Sequence, residues 1–91
     1  MLSDAEFDAD LCYSQITPAM VQTLGLIRDG FRTRAIAEQR GVSYHTARTQ
    51  IGALEQITHC HSLDELRAWW EEHESTFHAW HARQLRLRMG D

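Results

Sequence analysis

From Ser62 to Met89 the chain contains neither proline nor glycine. Within that run Leu63, Leu66, Trp70, His73, Phe77, Trp80, Gln84 and Leu87 are spaced 3, 4, 3, 4, 3, 4 and 3 residues apart. This is the heptad rhythm that lines one side of a helix. Ser62-Leu63-Asp64-Glu65 has the form of a capping box and starts the helix at Leu63. One uninterrupted helix of about 26 residues would be ~39 Å long. In a chain of 91 residues such an element points to an all-α fold and overshoots the domain it belongs to. Phe77 and Trp80 would then stand in water unless something covers them. The expected cover is the same helix of a second subunit, with Leu66, Trp69, Trp70, His73, Phe77 and Trp80 as the dimer or partner interface. His73 and Gln84 would be the polar seam members that fix register. The alternative is a break near Glu74-Ser75-Thr76 that folds Phe77 and Trp80 back onto the domain.

The second organising stretch is Thr33 to Ile57. Thr33 is a candidate N-cap, Ile36 and Ala37 follow a helical period, and Gly41 comes where a helix needs a left-handed residue to stop. Ser43 then caps a second helix. Ala47, Ile51 and Leu54 share one face of it, and Tyr44, His45, Arg48, Thr49, Gly52 and Glu55 lie elsewhere. Two capped helices around a glycine turn, the second with a polar outer face, form the sequence pattern of a helix-turn-helix. Ahead of it, Thr17-Pro18 opens another helix with an apolar stripe at Met20, Val21, Leu24 and Ile27, closed by Asp29-Gly30. Ile16, Leu24, Ile27, Ile36, Val42, Ala47, Ile51 and Leu54 are the expected shared core.

At the front, Ser3 and Glu6 suggest a capping box, and Leu2 with Phe7 a hydrophobic staple around a short N-terminal helix. Phe7 and Leu11 are spaced to dock on the domain, but the preferred reading is a partly frayed, solvated extension. The expected organisation is an acidic N-terminal extension over 1–15, a helix-turn-helix core over 16–61 and a long C-terminal dimerisation helix over 62–89.

With these elements in place, residues 16–66 resemble the DNA-binding domain of the LuxR/FixJ/GerE group of bacterial regulators. The likeness rests on Ile16-Thr17-Pro18, Leu24, Ile27, Asp29-Gly30-Phe31, Ile36-Ala37-Glu38, Gly41-Val42-Ser43, His45-Thr46, Arg48-Thr49 and Glu65-Leu66, in order and without insertion. It implies a four-helix, LuxR-type helix-turn-helix bundle whose third helix reads the major groove and whose fourth pairs two subunits. Arg48 and Thr49 match groove-facing positions, and Thr46 matches a position near phosphate. Gly52 stands where such helices often carry a basic or polar side chain, and Gln50 replaces a frequent histidine. Glu55 and Thr58 occupy positions usually apolar, and His59 the usual glycine. These departures predict a reshaped end to the recognition helix.

Net charge is −4, from nine arginines, no lysine and 13 acidic residues. The acids gather at the front and in the last helix, while Arg28 to Cys60 holds five arginines against Asp29, Glu38 and Glu55. Local positive charge suffices for a DNA-binding face, although net acidity lowers non-specific affinity. No apolar run approaches the ~18–20 residues that span a bilayer, and the acidic start is unlike a signal peptide; a cytoplasmic location is the expectation. Cys12 and Cys60 read as free thiols. His59-Cys60-His61 lacks a second ligand pair at finger spacing, and Glu71, Glu74, His78 and His81, which share a helix face and could be read as ligands, are preferred as a solvated acidic and imidazole-rich face, so no metal and no cofactor are expected. No nucleophile with a spaced base, and no phosphate-binding glycine loop, is present, so the chain does not read as an enzyme.

The leading expectation is therefore a sequence-specific DNA-binding transcriptional regulator acting as a homodimer, with its recognition helix over about 44–57 in the major groove of double-stranded DNA. Arg48 would read a guanine edge or clamp phosphate, and Thr49 would touch a base or methyl group. Tyr44, His45 and Thr46 would set the helix on the backbone, beside Gly52 in the same helix, and Arg32, Arg34 and Arg40 would flank it as phosphate contacts. The other class is a protein-binding adaptor on the same scaffold, with a polymerase, sigma factor or regulator held by Trp69, Trp70, Phe77 and Trp80. A sigma region-4-like or phage packaging module is a third reading.

Overall fold

A computed structural model describes residues 8–89. Five helices follow one another: α1 (Ala9–Tyr13), α2 (Pro18–Arg28), α3 (Thr33–Arg40), α4 (Tyr44–Thr58) and α5 (Leu63–Met89). No strand occurs among the described residues. The Ser3, Glu6, Leu2 and Phe7 signals lie outside the described residues.

Local chemistry sets most boundaries. Thr17 caps α2 by accepting from the Met20 amide at 3.1 Å, with Pro18 in the first turn. Gly30 (φ 94°) follows the end of α2, and Gly41 ends α3 in the left-handed region at φ 68°, where a Cβ would be strained. Ser43 accepts from the Thr46 amide at 3.0 Å and starts α4. At α5 the Glu65 amide donates to Ser62 Oγ at 3.1 Å, and the Glu65 carboxylate accepts from the His61 amide at 2.7 Å. One cap differs from expectation: Thr33 is the first helical residue of α3, and the preceding Arg32 is the N-cap without a side-chain bond. A hydroxyl one residue too late cannot face the first-turn amides.

The core joins all five helices. Ile16, Leu24, Ile27, Ile36, Ala47, Ile51 and Leu54 are buried as expected, and Val42 packs against them half-buried. The end of α4 is a regular helix. The helix runs through Gly52 and Glu55 to Thr58, whose buried hydroxyl donates back to Leu54 O at 2.8 Å. His59 takes the left-handed position itself at φ 61°. Buried Ile51 and Leu54 on either side of Gly52 supply the packing that offsets the ~1 kcal/mol helix cost of glycine.

The largest difference concerns what covers the long helix. α5 is continuous over 27 residues, with no break at Glu74-Ser75-Thr76. Phe77 is nevertheless only 4% exposed. Its cover is Tyr13, 1% exposed, on the five-residue α1. The Tyr13 ring meets Phe77 edge-on at 5.5 Å, Trp80 at 5.7 Å, His73 at 6.0 Å and Trp69 at 6.4 Å. Tyr13 Oη is hydrogen-bonded to His73 Nδ1 at 2.8 Å, and Trp80 Nε1 donates to Asp10 Oδ1 at 2.5 Å. Cys12, Tyr13 and Ile16 are thus part of the core, and residues 8–16 are not a frayed extension. Leu11, spaced with Phe7 as a possible docking residue, is 64% exposed, and Cys12 and Tyr13 point inward in its place. Asp8 caps α1 through the Leu11 amide at 3.1 Å, which fixes that rotation.

Candidate nucleic-acid interface

The α3–turn–α4 unit presents α4 by burying one side of it. Ala47, Ile51 and Leu54 are at most 6% exposed, while Tyr44, His45, Thr46, Arg48 and Thr49 face solvent. Gly52 is half-buried further along. The structure thus brings six of the seven expected DNA-contacting residues onto one helix. The seventh, Arg34 on α3, sits with its guanidinium 5.5 Å from the Tyr44 ring centre. That cation–π contact places an arginine beside the first turn of α4, where the helix dipole already favours an anion. Arg34 and Arg48 are exposed and form no ion pair among the described residues. Thr46 differs: its hydroxyl accepts from Ser43 Oγ at 2.9 Å, so it is oriented by the cap.

The flanking arginines divide. Arg32 pairs with Asp64 at 3.1 Å, both side chains well exposed; this pair restrains it only weakly. Arg40 turns inward. Its Nη1 donates to Thr23 Oγ1 at 2.7 Å and to Gln50 Oε1 at 2.6 Å, and the Thr23 hydroxyl donates to the same Gln50 oxygen. One guanidinium so ties α2, α3 and α4 together, and Arg40 is a structural clamp in place of the expected phosphate contact. The sequence signal for it was Gln50, the departure from the family's frequent histidine. Arg28 likewise pairs with Glu74 of α5 at 2.5 Å, which raises its pKa through that bond.

The expected dimer and adaptor surface is largely consumed by the fold. Leu66, Trp70 and Phe77 are 0–4% exposed within one chain. Side chains enclosed by α1, α2 and α4 are not available to a second molecule, so these three are corrected to core. Trp69, His73 and Trp80 are half-buried. Trp69 stacks on the His73 ring at 4.3 Å, and burial lowers the His73 pKa.

Cys12 and Cys60 are free and buried, and burial raises both thiol pKa values. Among the described residues no group of three or more His, Cys, Asp or Glu side chains is placed to hold a metal ion. No helix among them is long and apolar enough to cross a membrane. No family model, curated protein or solved structure matches the chain.

Proposed function

We propose that the protein is a sequence-specific DNA-binding transcriptional regulator, with α3, the turn and α4 as a LuxR-type helix-turn-helix and α4 as the recognition helix. The observation that carries this reading is the α4 surface. A helix clamped from behind by Ile51, Leu54 and Arg40 offers Arg48 and Thr49 on its open side, with Arg34 and Tyr44 at its first turn. The ordered resemblance over residues 16–66 supports it. Arg48 supplies the paired donors that match guanine O6 and N7, and Thr49 a hydroxyl and methyl suited to a neighbouring base. Arg34, Tyr44 and His45 set the helix on the phosphate backbone. The active species in this reading is a cytoplasmic homodimer on a roughly palindromic site. The adaptor reading loses ground because Trp70 and Phe77, two of its four anchors, are enclosed in the core.

The test is selection of bound fragments from random DNA at low salt, followed by affinity measurement on the enriched site. Arg48→Ala should cost ~1–3 kcal/mol of specific binding and leave the thermal melt unchanged, since Arg48 is exposed. Failure to enrich any sequence, or an Arg48→Ala variant that binds the enriched site as well as the parent, refutes the assignment.

A further inference from the structure

Where α5 leaves the bundle a groove of about 440 Å³ opens between its residues 77–88 and the stretch from Tyr13 to Val21. Tyr13, Ile16 and Phe77 form the floor and are 1%, 7% and 4% exposed. Val21 and Leu85 add apolar walls, and the exposed His81 and Arg88 stand at the mouth. A volume of this size encloses one small molecule, and an apolar floor with a few polar groups at the edge is the usual build of such a site. No residue of α4 lines the groove, so it is separate from the surface assigned to DNA.

Charge selects the ligand. The chain carries 13 acidic residues and a net charge of −4, yet no aspartate or glutamate lines the groove. Two carboxylates touch lining residues from outside, and both are engaged. Glu74, 4.0 Å from His78, accepts from Arg28 at 2.5 Å, and Asp10 accepts from Trp80 Nε1 at 2.5 Å. Arginines in a last helical turn complement the helix dipole wherever they point. Of Arg83, Arg86 and Arg88, however, Arg88 alone lines the groove, and it forms no ion pair among the described residues. We infer that the groove binds a small organic carboxylate, its apolar body on Tyr13, Ile16 and Phe77 and its carboxylate on Arg88. A guanidinium meets a carboxylate with two parallel N–H donors. Gln84, half-buried and one turn earlier on the same side, offers an amide donor beside it. A neutral apolar molecule would leave Arg88 unused, and an inorganic anion would leave the apolar floor bare.

Octanoate, 1-octanol and inorganic phosphate are the probes, each titrated into the full chain without DNA. Calorimetry gives affinity, and magnetic resonance of the Trp80 indole and the Val21 and Leu85 methyl groups gives location. Octanoate should bind one per chain with sub-millimolar affinity, about tenfold tighter than octanol, and phosphate should leave the methyl signals unmoved. Arg88→Gln should reduce octanoate to the level of octanol and leave octanol unchanged. Val21→Trp should fill the groove and abolish both. Leu85→Glu, at an exposed position, sets a carboxylate in the wall and should exclude octanoate whether or not Val21→Trp folds. Circular dichroism should show Arg88→Gln and Leu85→Glu folded as the parent. The inference is overturned by octanoate that binds no tighter than octanol or phosphate, that shifts none of these signals, or that binds Arg88→Gln as tightly as the parent. A chain that sediments as a dimer with its Leu85 methyl groups covered and octanoate shut out also overturns it, and makes a second copy the occupant. None of these results bears on α4, and a failure to enrich DNA leaves octanoate binding standing.

Discussion

Tyr13 is the side chain on which the docking of α1 depends, and truncating it gives a sharp test of that packing. It is 1% exposed and meets four aromatic rings of α5 edge-on. Tyr13→Ala removes the ring and leaves a void over Phe77, a change of the kind that costs ~3–5 kcal/mol. Tyr13→Phe keeps the ring and loses the hydroxyl bond to half-buried His73, which should cost ~1 kcal/mol. Small domains hold only ~5–15 kcal/mol in all, so the alanine variant should forfeit a large fraction of the stability and the phenylalanine variant little. The assay is urea unfolding followed by far-ultraviolet circular dichroism and by tryptophan emission. Trp69 and Trp80 lie within 6.4 Å of the Tyr13 ring, so emission reports the same site. The reasoning fails if Tyr13→Ala unfolds within about 1 kcal/mol of the parent. It also fails if Tyr13→Phe costs as much as Tyr13→Ala, which would make the hydrogen bond and not the ring the source of stability.

Three further outcomes follow from single contacts. Arg40→Ala leaves Thr23, 0% exposed, and Gln50 without their shared donor, and should lower the unfolding free energy by ~1–3 kcal/mol; a midpoint equal to the parent's would show that the clamp carries no energy. At Gly52 an added Cβ meets nothing within 4 Å, so Gly52→Ala should raise stability by ~0.5–1 kcal/mol in urea melts, and a loss would mean that the helix there is not regular. Burial holds the folded His73 pKa below the ordinary 6.5. Below pH 6.5 the unfolded chain therefore takes up this proton before the folded one does, and stability falls as pH drops from 6.5 toward the folded value. His73→Gln should flatten that part of the pH profile, and a parallel profile would assign the loss to other groups.

Much of the architecture was legible because its signals are local. Thr17-Pro18, Gly41, Ser43 and Ser62 act on amides within three residues, so spacing alone identifies them. The α5 seam was legible because a heptad rhythm over 25 residues has few other meanings. What covers that seam was not, because Tyr13 meets His73 across 60 residues of chain. A five-residue helix shows too little periodicity to reveal which way it faces, and Leu11 looked as apolar as its neighbours. Asp10 read as a solvated acid until Trp80 was found to donate to it. Arg40 was misplaced for a similar reason. A basic residue beside a recognition helix looks the same in sequence whether it faces phosphate or a buried threonine. On α4 itself the exposed face was legible, since its apolar complement, Ala47, Ile51 and Leu54, fixes the rotation of the helix.

The division of α5 at about Trp80 connects packing to the proposed assembly. Residues 63–80 run against α1, α2 and α4, and their large side chains are the centre of the core: Leu66 and Trp70 are wholly enclosed. Residues 81–89 continue the same helix, and among the described residues only Gln84 of that stretch is even half-buried. Loss of Trp70 or Phe77 therefore acts through folding, and any loss of pairing follows as a consequence. Loss of Leu85 or Arg88 should leave the folded chain intact, since both side chains are exposed. A rigid helix joins the two halves without proline or glycine, so in the proposed homodimer pairing through α5 would fix the separation of the two α4 surfaces. With the α4 apolar face packed into the same core as residues 63–80, no flexible joint intervenes between pairing and presentation.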